Sequence, residues 1–165
     1  MKKFTLVMAL VLLLGTTACG RRNNNSPAVN NAGTQPNPSI YESEGYSISI
    51  PSGEYLYEKD YDDGNLEEKW EHRKKDDAHI KVTTYKNSDE ISARERFLRE
   101  NDDYIFEDLT GYPPCGIERD GDELWFNLYK SGENVYIVSW EYDKFTSDAI
   151  KKELSDIAGT FKLAE

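Results

Sequence analysis

The feature that most limits how this chain can fold is a series of β-strand signals in its last third. Three segments, residues 116–119, 124–130 and 135–142, are separated by short turn sequences that contain Gly121 and Gly132. The last two segments are rich in aromatic and β-branched side chains, so the spacing predicts an antiparallel meander. The third segment carries bulky residues on both of its faces, which is typical of a central strand covered on both sides.

Earlier segments predict further strands. Residues 46–50 alternate apolar residues with serine before Pro51, a pattern typical of a half-buried strand. Residues 66–73 and 79–86 flank a charged turn and are predicted to form a hairpin. Tyr55 and Tyr57 indicate a short strand, and the polar run 60–65 that follows is predicted to be a loop before this hairpin.

Two helices are predicted between and after these strands. The first covers residues 90–101 and follows Asp89, a good N-terminal capping residue. The second ends at Ala158 and begins after Thr146 or Ser147. The order of strands, helix, strands and helix excludes a regular parallel alternation. We therefore expect an α+β fold in which helices cover an antiparallel β-sheet.

The first 20 residues differ in character from the rest of the chain. Lys2 and Lys3 precede an apolar run from Phe4 to Leu14, and small residues then lead to Cys19. The apolar run is shorter than the roughly 20 residues that a membrane-spanning helix needs. This pattern predicts a signal peptide over residues 1–18.

Residues 15–20 resemble the lipobox of bacterial lipoproteins, in which a cysteine receives a diacylglycerol and becomes the mature N-terminus. The resemblance implies lipidation of Cys19 and attachment to the extracytoplasmic face of the cell membrane. Residues 19–39 are rich in Asn and Pro and predict a flexible tether to a folded domain at residues 40–165. Ordinary signal cleavage after Ala18 is the alternative, because small residues also stand at both positions which that reaction requires.

The folded domain holds all of the negative charge. The whole chain has a net charge of -11, and residues 40–165 contain all 31 acidic residues but 16 of the 20 basic ones, a net charge of -15. Nucleic-acid binding needs a concentrated basic surface, so DNA and RNA are excluded as partners. An acidic domain attracts a basic protein partner instead.

The order of the predicted elements resembles the PsbP-like family of small exported domains. The resemblance rests on the strand sequence of residues 45–51, the mid-chain helix, the aromatic meander, and the last helix running into residues 159–161. It implies an α/β/α sandwich with a non-enzymatic role, either binding partner proteins or assisting assemblies at a membrane.

The densest acidic run supplies candidate cation ligands in Asp60, Asp62 and Asp63, because Ca²⁺ prefers carboxylate oxygens on a flexible loop. The helix-loop-helix calcium pattern fails here. If Asp60 is the first ligand, the sixth position requires glycine but holds Asn65. We therefore favour a solvated acidic loop over a metal site.

Other reactive side chains give no pattern for chemistry. His72 and His79 are predicted on opposite faces of the hairpin, so they are not expected to share a metal ion. Cys115 lies among proline and glycine residues and is expected to be a small, partly buried loop residue. We expect no catalytic residues and no cofactor.

Tyrosines cluster near the start of the domain, with Tyr55, Tyr57 and Tyr61 closest to the acidic run. Tyrosine suits interfaces, although it is also a good strand former.

We expect a lipid-anchored extracytoplasmic binding or accessory module that recognises a basic envelope protein through an acidic, tyrosine-rich surface. The alternatives are a binder of envelope glycan, which predicts a groove of exposed Tyr or Trp, and an envelope hydrolase, which predicts two close carboxylates with perturbed pKa values.

Overall fold

The computed structural model describes residues 38–62, 64–75, 77–107, 113–118 and 120–165. The predicted signal peptide, the predicted lipidation site Cys19 and nearly all of the predicted tether lie outside these residues. Asp63, one of the candidate cation ligands, lies outside them as well.

The described residues form ten strands and two helices. In chain order these are β1 (Pro38–Ser43), β2 (Tyr46–Pro51), β3 (Tyr55–Asp62), β4 (Asn65–His72), β5 (His79–Tyr85), α1 (Glu90–Glu100), β6 (Tyr104–Glu107), β7 (Cys115–Glu118), β8 (Glu123–Ser131), β9 (Asn134–Tyr142), α2 (Asp148–Ala158) and β10 (Lys162–Leu163). Every strand pair is antiparallel. The predicted combination of antiparallel sheets with two helices is confirmed, with far more residues in strands than in helices.

The strands form two sheets. The smaller sheet has the order β1-β2-β10, and the larger has the order β3-β4-β5-β9-β8-β7-β6. Strand β9 therefore lies in the middle of the larger sheet, and its residues from Val135 to Trp140 are all buried. The prediction of a central strand covered on both faces is confirmed.

Two predictions about the start of the domain are wrong. The predicted tether ends inside β1, whose residues 38–43 pair with residues 46–51. The predicted loop at residues 60–65 is instead the end of β3 and the start of β4, joined by a tight turn at Gly64, whose φ is +84°. Strand β1 was missed, and β3 was predicted only as a short strand at Tyr55 and Tyr57, because solvent-exposed edge strands tolerate polar residues on both faces and so lack an apolar alternation.

The two helices pack on opposite faces of the larger sheet. Helix α2 and the smaller sheet bury Tyr136, Val138 and Trp140 of β9, whereas α1 packs on the side of Val135 and Ile137. Helix α1 covers this second face over β8, β6 and the Tyr85 end of β5. Over β3, β4 and the other end of β5, the same face carries charged side chains.

Both helices begin where the sequence predicts. The Asp89 carboxylate accepts a hydrogen bond from the backbone N–H of Ser92, and the Ser147 hydroxyl accepts one from Ile150. These bonds satisfy N–H groups that lack partners within the helix. Neither of the two described helices is long and apolar enough to cross a bilayer.

Candidate functional site

Strand β3 forms one edge of the larger sheet. It pairs with β4 on its inner side, and no other described strand pairs with it. Seven of its eight residues are exposed. An unpaired edge presents backbone N–H and C=O groups to which an additional strand can bind.

The side chains of β3 alternate between the two faces of the sheet. The face on which α1 packs carries Leu56, Glu58, Asp60 and Asp62, and the face on which α2 packs carries Tyr57, Lys59 and Tyr61. The predicted acidic, tyrosine-rich surface is therefore divided into an acidic side and an aromatic side. The two sides meet at the open edge of β3.

A groove of about 370 Å³ lies on the acidic side and runs across β3, β4, β5 and β9. We call it the acidic groove, and it is lined by Glu58, Asp60, Glu67, Lys69, His79, Lys81 and Glu141. Four carboxyl side chains thus share the groove with two lysines.

Both lysines of the acidic groove are engaged by neighbouring carboxylates. Lys81 Nζ lies 3.5 Å from Glu67 Oε1 on the adjacent strand, and Lys69 Nζ lies 3.0 Å from Glu71 Oε2. Within the described part of the chain, Glu58 and Asp60 make no ion pair. The uncompensated negative charge of the groove is therefore concentrated on β3, beside the open edge.

His79 and Glu141 lie at the inner end of the acidic groove, with His79 Nε2 at 3.6 Å from Glu141 Oε2. Burial, followed by repulsion from Lys69 and Lys81, lowers the pKa of His79 to about 3. Burial raises the pKa of Glu141, although Tyr104 and the two lysines act in the opposite direction. His79 is uncharged at neutral pH, so its contact with Glu141 is not an ion pair there.

The aromatic side of β3 packs on rings from other strands. The Tyr57 ring centroid lies 4.8 Å from that of Tyr41 and 5.5 Å from that of Trp70. Tyr57 and Tyr61 are 41% and 64% exposed, so both present ring surface to solvent. This side offers contact area to apolar or aromatic groups.

The buried carboxylate of Glu68 holds Tyr57 in place. Glu68 is 1% exposed and accepts hydrogen bonds from Tyr57 Oη at 2.8 Å, Tyr46 Oη at 2.5 Å and Ser43 Oγ at 2.6 Å. Burial raises the pKa of Glu68, but these hydrogen bonds and the Lys59 ammonium outweigh burial and lower the pKa overall. The carboxylate joins the smaller sheet to the edge strand.

The structure does not place Tyr55 on the predicted binding surface. Tyr55 is 7% exposed, its hydroxyl donates to Glu153 at 2.8 Å, and its ring packs edge-on against His72. Tyr57 and Tyr61 are exposed. Tyr55 differs from them because the start of β3 lies against α2.

The candidate cation ligands Asp60 and Asp62 lie on a regular strand and not on the predicted loop. An extended strand separates successive side chains on one face, so it cannot wrap them around one ion as a loop can. Among the described residues, no group of three or more His, Cys, Asp or Glu side chains is arranged to hold a metal ion.

The histidines and the cysteine are placed as follows. His72 packs with Tyr55 and His79 lies in the acidic groove, so they face opposite sides of the sheet as predicted. Cys115 was predicted to lie in a loop, but it begins strand β7 and is buried. Burial, with smaller contributions from Glu123 and Glu107, raises the pKa of Cys115 to about 11, so its thiol stays protonated at neutral pH.

A second pocket, of about 190 Å³, was not predicted. It is lined by Pro113, Trp125, Trp140, Tyr142, Lys151 and Ser155. Trp140 and Tyr142 are 4% and 6% exposed, so they offer little ring surface to a sugar. The aromatic composition of β8 and β9 indicated core packing in the sequence, and only the arrangement of the strands places these rings around one pocket.

The comparisons with known proteins concern the fold. No family model and no curated protein matches the chain. The chain is similar to the solution structure of cyanobacterial PsbP (CyanoP) from Synechocystis, with a TM-score of 0.51 and 12% identity over 83% of this chain and 98% of that one. It also matches a crystal structure from Bacteroides thetaiotaomicron, with a TM-score of 0.48 and 16% identity over 80% of this chain. The chain spans 50% of the length of that second protein. The likeness to CyanoP shows that the described domain has a PsbP-like fold.

Proposed function

We propose that the protein is a non-enzymatic, lipid-anchored extracytoplasmic module that binds a basic, extended segment of an envelope protein along the open edge of β3. The observation that carries this proposal is the composition of β3 itself. One exposed edge strand presents unpaired carboxylates on one face and tyrosine rings on the other.

A segment that pairs with β3 would place its alternate side chains on the two faces of the sheet. Side chains over the acidic side would lie beside Glu58 and Asp60, where Lys or Arg is favoured. Side chains over the aromatic side would lie beside Tyr57 and Tyr61, where apolar residues are favoured. The expected partner sequence therefore alternates basic and apolar residues.

The charge of β3 also disfavours pairing with a second copy of itself. Glu58, Asp60 and Asp62 outnumber Lys59 on the strand, so two copies side by side would bring like charges together. The domain charge of -15 would attract a basic segment during the approach, most strongly at low salt.

The anchor and the domain architecture complete the proposal. The lipobox resemblance supports lipidation at Cys19, and two acyl chains are sufficient for stable attachment. A tether of about 20 residues spans roughly 25 Å, which would hold the acidic domain away from anionic headgroups. The packing of α1 and α2 on opposite faces of the larger sheet supports the finer description of the domain as an α/β/α sandwich.

Peptide binding tests the proposal. A fluorescent eight-residue peptide alternating Lys with Val should bind the chain carrying Cys19→Ser, and its anisotropy should fall as salt is raised. The same peptide with Glu in place of Lys, and one with alternate backbone amides methylated, should not bind. Equal binding of the methylated peptide would contradict strand pairing.

Charge variants locate the site. The double variant Glu58→Gln and Asp60→Asn should weaken binding of the Lys–Val peptide about tenfold, the effect of losing two charge pairs. The double variant Asp102→Asn and Asp103→Asn, which removes two exposed carboxylates that follow α1, is the matched control and should leave affinity within about twofold. Equal losses in both variants would mean that net charge, and not the β3 edge, determines binding.

A further inference from the structure

A polar cavity of about 420 Å³ lies beside α1, where β5 ends and the chain turns into the helix. Its charged lining residues are Lys86, Arg96, Arg99 and Glu95. Three basic side chains therefore share one cavity with one acidic side chain, in a domain whose acidic residues outnumber the basic ones by almost two to one. We call this cavity the basic pocket.

A neighbouring depression borders the basic pocket and adds no net charge to it. This depression, of about 290 Å³, shares Asn87 and Ser88 with the pocket and adds Lys130 and Glu133. Asn87 has a φ of 51° and is the one non-glycine residue with positive φ in the described part of the chain. It lies between the two cavities, so the turn brings both into one continuous polar surface.

The surroundings of Arg96 fix its guanidinium in the pocket wall. Its Nε donates to Glu100 at 2.7 Å, and its Cζ lies 5.7 Å from the centre of the Tyr85 ring. With the Asn65 amide oxygen facing Arg96, that oxygen accepts from the two terminal nitrogens at 3.0 and 3.2 Å. A guanidinium that is already ordered loses little further entropy when an anion binds.

Lys86 and Arg99 supply the adaptable part of the pocket. Both side chains are exposed, and within the described residues neither makes an ion pair. They lie on different elements, Lys86 directly after β5 and Arg99 in the last turn of α1, so they can approach a ligand from two directions. Their charges are not compensated in the way that Lys69 and Lys81 are compensated in the acidic groove.

We propose that the basic pocket binds the phosphoryl group of a small phosphate ester. Lys86 and Arg99, which make no ion pair within the described residues, match the double charge of a phosphate monoester better than the single charge of a carboxylate. Arg96, whose charge is shared with Glu100, adds N–H donors for the several phosphoryl oxygens. The remaining lining is largely amide and hydroxyl, which suits a ligand with a polar body. This site is separate from the β3 edge and does not rest on the function proposed for that edge.

NMR titration of the ¹⁵N-labelled chain carrying Cys19→Ser tests the proposal, with glycerol 3-phosphate as the probe. Saturable shifts are expected at the backbone amides of Lys86, Ser88 and Arg96. Glycerol should produce none, and acetate should bind at least tenfold more weakly. The phosphoryl assignment is overturned if acetate binds as well as glycerol 3-phosphate, or if the shifts do not saturate.

Two exposed-site variants separate binding from folding. Lys86→Gln and Arg99→Gln should each weaken glycerol 3-phosphate binding about tenfold, and Lys162→Gln, on β10, is the matched control with no expected change. Unchanged affinity in the first two variants would overturn the proposal.

Sedimentation with phosphatidylglycerol vesicles identifies the source of the phosphoryl group. Loss of sedimentation in the same variants would assign it to a lipid headgroup, and binding of the soluble probe alone would assign it to a free phosphate ester.

Discussion

The hydroxyl of Tyr57 on the exposed edge strand donates a hydrogen bond to the buried carboxylate of Glu68 at 2.8 Å. The same carboxylate accepts from Ser43 of β1 and Tyr46 of β2, so one charged group joins both sheets. The proposed binding edge is therefore fixed to the core through Tyr57. Its outer surface can meet a partner without prior ordering, which lowers the entropic cost of binding.

Replacing this carboxylate should destabilise the fold. Glu68→Gln offers one oxygen in place of two and adds two N–H donors, so at least one hydroxyl loses its acceptor in a buried site. We expect a loss of about 2 to 3 kcal/mol in the free energy of unfolding, measured with urea. Tyr57→Phe removes one hydrogen bond but keeps the ring, and should lose about 1 kcal/mol. A change below about 0.5 kcal/mol in Glu68→Gln would contradict a structural role for the carboxylate.

His79 should make stability depend on pH below neutrality. Its pKa is lowered to about 3 in the folded chain, whereas an unfolded histidine titrates near 6.5. Between these values the unfolded state binds an extra proton, so stability is full above about pH 6.5 and falls as the pH drops towards 3, by at most about 1.4 kcal/mol per pH unit. His79→Gln should flatten this slope. NMR titration that found His79 protonated at pH 6 would contradict the prediction.

Substitutions at two glycines distinguish the cost of backbone strain from the cost of steric overlap. Gly45 and Gly53 have φ of +91° and +79°, but a Cβ at Gly45 would lie 2.1 Å from Tyr136 Oη, and a Cβ at Gly53 would meet nothing within 4 Å. Gly53→Ala should cost about 1 to 2 kcal/mol from strain alone. Gly45→Ala should cost clearly more, because Tyr136 is buried and must move. Equal losses in urea unfolding would show that the turn at Gly45 relaxes freely.

The anchor gives a prediction that does not depend on the fold. If Cys19 is lipidated, Cys19→Ser should move the protein from the membrane fraction to the soluble fraction after cell fractionation. The control is Cys115→Ser, which changes a buried thiol in β7 and should leave the protein with the membrane. Membrane association that persists in Cys19→Ser would contradict attachment through this residue.

The sequence predicted the parts of the fold in which the apolar pattern and the buried face coincide. The meander around β9, the β4–β5 hairpin and both helices follow from such patterns and from the capping residues Asp89 and Ser147. Strand β1 and the second half of β3 could not be predicted, since each strand lies at the edge of its sheet and carries polar residues on both faces. A solvent-exposed strand does not need an apolar face, so its sequence lacks the alternation of apolar and polar residues from which a strand is predicted.

The candidate site was predicted in composition but not in arrangement. Acidic residues and tyrosines near residue 60 indicated a binding surface, yet whether they share a face depends on whether the segment is a loop or a strand. As a strand, the segment separates Asp60 from Tyr61 by the thickness of the sheet. Tyr55 illustrates the same limit, since only the packing of α2 distinguishes it from Tyr57.

Hydrogen exchange at the β3 edge tests the central claim most directly. The backbone N–H of Tyr61 donates to its neighbour's side chain, Asp60 Oδ1, at 2.7 Å and is exposed, so it should exchange readily in the unbound protein. With saturating Lys–Val peptide, strand pairing should slow exchange at the outward-facing amides of β3 by at least about tenfold, while the amides of β6 at the opposite edge stay unchanged. Peptide binding without slower exchange in β3, or with equal slowing in β6, would contradict recognition at this edge.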